Sequence, residues 1–171
     1  MKKFAWTWLV NISLCLLSAC GGGGGDGAST TPSPVTPPVT PGPVPPTVLL
    51  GVFLDSPVSN ISYKTSTQTG TTDLQGQFKY VANELVTFSV GNVVLPSATA
   101  SAIITPMDLA KTSDMSNNVV LNMLVFLQSL DKDGDPSNGI QIQDAAISAA
   151  TSAIDFNVSP ASFRANTVFT T

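Results

Sequence analysis

The chain of 171 residues contains no histidine, and its two cysteines, Cys15 and Cys20, both fall within the first twenty positions. Without histidine the chain lacks the commonest general base and the commonest transition-metal ligand. Two cysteines so close to the start cannot staple a folded domain, so no disulfide framework is expected. Charge is scarce as well: charged residues make up 11% of the chain, against about 25% in a typical soluble domain. The formal net charge is −4, or −6 once Lys2 and Lys3 are removed with a leader, which leaves Lys64, Lys79, Lys111, Lys132 and Arg164 scattered along the chain. Nucleic-acid binding needs clustered cations to displace counterions, and no cluster is present. A serine-nucleophile elbow of the Gly-x-Ser-x-Gly type is also missing, so the sequence is read as that of a non-enzyme.

What the chain does have begins with a three-part leader over residues 1–19. It comprises a charged start at Lys2 and Lys3, an apolar stretch from Phe4 to Leu17, and the small residues Ser18 and Ala19. This is the layout of an export signal. The apolar stretch is interrupted by Thr7, Asn11 and Ser13, and it falls short of the ~20 apolar residues that a membrane-crossing helix needs. Directly after it, "LSAC", Leu17 to Cys20, resembles the lipobox of bacterial lipoproteins. That resemblance implies cleavage before Cys20 and acylation of its thiol, with palmitate-type chains that attach the protein to a lipid bilayer. Several chains on one residue make a durable anchor, because each buried methylene contributes about 0.8 kcal/mol. The next residue is Gly21 and not Asp, which in enteric-type lipoproteins directs the product to the outer membrane.

Residues 20–47 read as a disordered tether. Gly21 to Gly27 is nearly all glycine, and "ASTTPSPVTPPVTPGPVPPT", Ala28 to Thr47, is rich in proline. The glycines predict a loose coil, and the proline tract a polyproline II spacer rising about 3.1 Å per residue.

From Val48 the pattern becomes that of a folded domain, mainly β with some α: a small antiparallel β-sandwich over 48–105, then a helical segment over 106–156. "VLLGVFLDSPV", an apolar run ending in Asp55, Ser56 and Pro57, predicts a buried strand. Ile61, Tyr63 and Thr65 alternate with polar neighbours, as do Phe78 with Tyr80, and Val86 with Phe88 and Val90, which predicts half-buried strands. "TTDLQGQF" places a turn at Asp73 to Gly76, and Asp73 is read as a turn former. The segment "GTTDLQGQFKY" resembles the turn of prealbumin-like, carboxypeptidase-regulatory-like β-sandwich modules. More broadly, Leu50 to Ile142 is similar to a group of secreted proteobacterial proteins and lipoproteins. The likeness implies a scaffold fold and an envelope location, and it supplies no chemistry.

A buried helix is predicted from about Asn117 to Leu130, with cap chemistry supplied by Asp114 and Ser116 and with Met123 and Phe126 in the core. A shorter Ala-rich helix is predicted over Gln143 to Ile154. Residues 157–171 form a tail, read either as a short closing strand or as the start of structure continued in a longer protein.

One constellation carries candidate chemistry. "LDKDGDPSNGI", Leu130 to Ile140, sets Asp131, Asp133 and Asp135 at alternate positions, followed by Asn138. In a curled loop such spacing can turn hard oxygens toward a Ca²⁺ ion. The loop resembles the front half of an EF-hand or dockerin-type loop but departs from both, with Pro136 where a glycine is expected and Ile142 where a bidentate Glu is expected. Calcium would therefore need an outside ligand, such as Asp144 or a backbone carbonyl. The same residues suit a plain solvated turn, and both readings stand at this point. The function expected from these features is a cell-envelope lipoprotein with a structural or interaction role and an envelope or surface protein as partner. The alternatives are the front module of a larger secreted enzyme or transport component and a calcium-dependent adhesion module.

Overall fold

The computed structural model describes residues 42 and 44–165. The expected export leader, Cys20 and nearly all of the predicted tether lie outside the described residues. The first described element is strand β1 (Val48–Phe53), which opens the compact unit that the described residues form. Eight short strands follow: β2 (Val58–Ser59), β3 (Ser62–Lys64), β4 (Thr69–Thr71), β5 (Gln77–Val81), β6 (Leu85–Val90), β7 (Val93–Val94), β8 (Ala98–Thr99) and β9 (Ile103–Ile104). Helices α1 (Pro106–Ala110) and α2 (Asn118–Ser129) come next, then a 3₁₀ turn at Pro136–Asn138, strand β10 (Ile140–Gln141), and helices α3 (Asp144–Ala149) and α4 (Pro160–Arg164).

The protein is mainly β with a few helices, and its sheets are arranged as a small sandwich. One sheet has the order β5-β1-β9 and another the order β4-β3-β6-β7, with β8 also paired to β6; β2 and β10 form a third, two-stranded ladder. Period-two alternation decides which faces turn inward. Ile61, Tyr63 and Thr65 are buried, as are Phe78, Tyr80, Val86, Phe88 and Val90, while Lys64 and Lys79 face solvent. Between the sheets Phe53 stacks on Phe88 at 4.3 Å between ring centroids, and Phe78 meets Phe88 edge-on at 5.2 Å. Offset and edge-on ring pairs of this kind add to the area term of burial.

The turn over Asp73 to Gly76 forms as the sequence indicates. Asp73 Oδ1 accepts the backbone N–H of Gln75 at 3.0 Å and of Gln77 at 2.8 Å. Gly76 takes a φ of +71°, where a Cβ would lie 2.8 Å from the Phe53 carbonyl. Side-chain freedom is thus excluded twice, by conformation and by space.

Several expectations are corrected. The run at Val48 is not a buried strand throughout: Val48 and Leu50 are 48% and 59% exposed, and burial sets in only at Gly51 and Phe53. β5 pairs with β1 from Val48 to Val52, but on the other side β9 reaches only Val52 and Phe53. The ladders are not all antiparallel either, since β1 with β9 and β2 with β10 run parallel. Parallel pairing needs a long crossover, and here the intervening strands and helices supply it. The Ala-rich helix is only half as long as the predicted segment, ending at Ala149. The turn at Gly91 and Asn92 explains the stop: Asn92 donates its backbone N–H to the Ala150 carbonyl at 2.7 Å and its side-chain amide to the Thr151 carbonyl at 2.8 Å. Carbonyls held from outside no longer serve the helix.

In the tail, residues 160–164 form helix α4 and not a strand, with Ser159 as its cap and Phe163 buried. Helix α1 is unforeseen, although Thr105 and Asp108 form a capping box around Pro106, a start signal written in the sequence. Helix α2 falls within one residue of its predicted limits, but Asn117 caps it, while Asp114 accepts from Ser116 in the turn before. Met123 and Phe126 are core residues, as expected. The change of texture near residue 105 is not a break in packing, because residues from both sides share one hydrophobic core.

Candidate functional site: the aspartate loop

The loop from Asp131 to Gly139 leaves the C-terminus of α2 and returns to the sandwich through β10. Its ends are strapped to the β1–β2 turn: Ser56 Oγ donates to the Pro136 carbonyl, and the Ile140 N–H donates to the Pro57 carbonyl at 3.0 Å. Asn60, in the left-handed region at φ +60°, completes the strap. Its side-chain amide donates to the Ile142 carbonyl at 2.8 Å and to Asp144 Oδ1 at 2.9 Å. Asparagine tolerates that backbone conformation better than most side chains.

The four loop residues singled out from the sequence are held near one another in the chain but have different duties. Asp133 Oδ1 accepts the Asp135 N–H at 3.0 Å, and Oδ2 accepts from the Asn138 side-chain amide at 2.9 Å. The Asn138 amide and then the Asp135 N–H hold the Asp133 carboxyl below the usual carboxylate range, because each donor favours the charged form. Asp135 caps the 3₁₀ turn by accepting the Ser137 N–H at 3.0 Å. Asp131 stands apart. It is half-buried, bridges to Ile142, and accepts the Gln141 N–H on Oδ1 at 2.9 Å. Its Oδ2 is buried with no hydrogen-bond partner. Among the described residues no three His, Cys, Asp or Glu side chains are grouped as a metal site requires. Asp144, the suggested outside ligand, is engaged by Asn60.

Sequence reading missed a second acidic position at the same end of the domain. Asp55, in the turn after β1, is half-buried and keeps Oδ2 without a partner. Burial pushes its carboxyl above the usual range, and a hydrogen bond from the Gln128 side chain only partly opposes this. No sequence signal marks Asp55, since its burial depends on α2 packing across the β1–β2 turn. Beside Asp131 there is also a cleft of about 340 Å³, walled by Val93, the last turn of α2, and the alanines of α3.

Together these features define a sandwich-like β domain with a helical flank, whose aspartate loop is fastened by its own amides. No protein family, curated protein or solved structure matches the chain. Among the described residues no helix is long and apolar enough to cross a membrane.

Proposed function

We propose that this chain is a cell-envelope lipoprotein: acyl chains on Cys20 hold it to the outer membrane, and a Gly- and Pro-rich tether presents a non-catalytic domain for structural or binding duty. The observation that carries the reading is the coincidence of "LSAC" with the end of a charged and apolar leader, followed at once by glycines. Acyl chains supply the membrane affinity that the sandwich itself does not need to supply. The arrangement of the aspartate loop supports a bracing role: its carboxylates stiffen the link between α2 and β10 by accepting local N–H groups.

Mass spectrometry of the protein purified from its native host tests the anchor. The expected mature N-terminal peptide begins at Cys20 and carries fatty acyl mass; a mature start elsewhere, or a free thiol at Cys20, overturns the reading. Thermal melting with and without a chelator tests the loop. An unchanged midpoint is expected for a self-fastened brace, whereas a lower midpoint in chelator would establish calcium as a structural ligand, because an ion bound to the native state stabilises it by mass action.

A further inference from the structure

Of the asparagines in the chain, only Asn138 is followed by glycine. The side-chain carbonyl carbon of an asparagine can reach the backbone nitrogen of the next residue, and joining the two closes a five-membered succinimide ring. Asparagine counts among the thermolabile residues. A Cβ on the following residue screens its nitrogen, and glycine has none. Elsewhere the follower is branched at that carbon, as Ile61 is after Asn60, Val93 after Asn92, Val119 after Asn118 and Val158 after Asn157.

The fold requires that glycine. Gly139 has φ 103° and ψ 162°, a region essentially reserved for glycine, and a Cβ there would lie 3.2 Å from the Pro57 carbonyl. The backbone path that returns the loop to β10 thus fixes the labile pair in place. Asn138 is exposed to the water that the reaction consumes. Two hydrogen bonds restrain it. The Asn138 amide nitrogen donates to Asp133 Oδ2 at 2.9 Å, which holds the side chain toward Asp133. The Gly139 N–H donates to the Pro136 carbonyl at 3.3 Å, and Ser56 Oγ donates to the same carbonyl. Ring closure needs both asparagine and glycine groups released, because the nitrogen must lose its proton and the side-chain carbon must swing onto it.

We propose that Asn138 is a site of spontaneous deamidation whose pace is set by the grip of Asp133 on its amide. The Gly139 nitrogen gives its proton to solvent base and bonds to Asn138 Cγ; the Cγ–Nδ2 bond breaks, and Nδ2 leaves as ammonia. Water then opens the succinimide at either carbonyl, which leaves aspartate or isoaspartate with no change in oxidation state. Both products replace the amide that donates to Asp133 with a carboxylate, and the two like charges disfavour each other. Isoaspartate also adds a methylene to the backbone between the 3₁₀ turn and β10. The modification unfastens the loop from within, independently of the membrane anchor.

The test is to age the purified full chain at neutral pH and physiological temperature, in buffer and in unfolding guanidinium chloride, and to follow residue 138 by peptide mass spectrometry. Conversion of Asn138 to acid is expected in buffer, at least about tenfold more slowly than in the unfolded chain, where both restraining bonds are gone. Asp133→Ala frees the Asn138 amide and should speed conversion in buffer by about three- to tenfold. Asn138→Gln keeps an amide but would have to close a larger ring, and should stay unconverted over the same interval. Asn138→Asp carries a product carboxylate from the start and should raise hydrogen exchange at the Gly139 amide by at least about threefold, which decides the role of the grip if Asp133→Ala does not fold. The proposal is overturned if native Asn138 stays unconverted or converts as fast as in the unfolded chain. It is equally overturned if Asp133→Ala converts at the native rate, if Asn138→Gln converts as Asn138 does, or if Asn138→Asp leaves exchange at Gly139 unchanged.

Discussion

The strands between Val48 and Ile104 and the segment from Asp131 to Ala150 hold their backbones in place by opposite means. In the strands, polar backbone groups pair across ladders while Phe53, Phe78 and Phe88 interlock between the sheets. In the later segment, few side chains are buried, and side-chain carboxylates and amides do the fastening. The first arrangement depends on apolar area and shape, and the second on local hydrogen bonds in contact with water. Their responses to substitution should differ accordingly, because a cavity in a packed core is not refilled, whereas water replaces a lost exposed partner.

The largest effect is expected from Phe88→Ala, which removes the ring shared by two aromatic contacts; chemical denaturation should show a loss of about 3–5 kcal/mol. Asn122→Ala should follow. Asn122 is fully buried in α2, and its side-chain amide donates at 2.9 Å to the carbonyls of both Phe156 and Val158. Stranding those acceptors should cost about 2–4 kcal/mol in the same measurement. Gly51→Ala should cost about 1–3 kcal/mol through overpacking, since the added Cβ would lie 2.6 Å from Phe78 Cζ and also strike the Ser101 carbonyl. By contrast, Asp133→Asn should move the melting midpoint by less than about 2 °C, because the residue is exposed. A loss from Asp133→Asn as large as that from Asn122→Ala would abolish the distinction between the two regions.

Acidity sharpens the contrast with opposite signs. The Asp55 carboxyl is raised by burial, so the native state holds its proton more tightly than the unfolded chain does. Its contribution is fully present below the ordinary value of 3.8 and is lost as pH rises through the higher folded value. The Asp133 carboxyl is lowered by its donors, so its contribution is present above 3.8 and is lost as pH falls through the lower folded value. Denaturation across this acid range should therefore show Asp55→Asn gaining on the native chain as pH rises above 3.8. Asp133→Asn should lose ground over the pH interval just below the same value, and an identical pH profile for the two variants would contradict these assignments.

Much of the sandwich was legible from alternation alone. Ile61, Tyr63, Phe78, Tyr80, Val86 and Phe88 each face the side that period two assigns them, because a strand buried on one face leaves little choice of register. The turn at Asp73 was legible because its hydrogen bonds are local. The limits of α2 were legible because a long apolar run needs cover. The end of α3 was not, since Asn92 ends it from a distant turn. The site was legible only in part. Alternate spacing grouped Asp131 with Asp133 and Asp135, yet burial sets Asp131 apart at the edge of a cleft that no spacing describes.

By itself the sequence determined the alternating faces, the turn chemistry, the buried helix and the absence of histidine chemistry, since each depends on residues a few positions apart. Only the tertiary structure decided that β1 pairs in parallel with β9, that Asn122 carries the tail segment on its amide, and that Asp55 and Asp131 each bury an oxygen without a partner. Those outcomes depend on which distant segments meet, and burial of a polar atom is a property of the assembled surroundings and not of the atom's place in the chain.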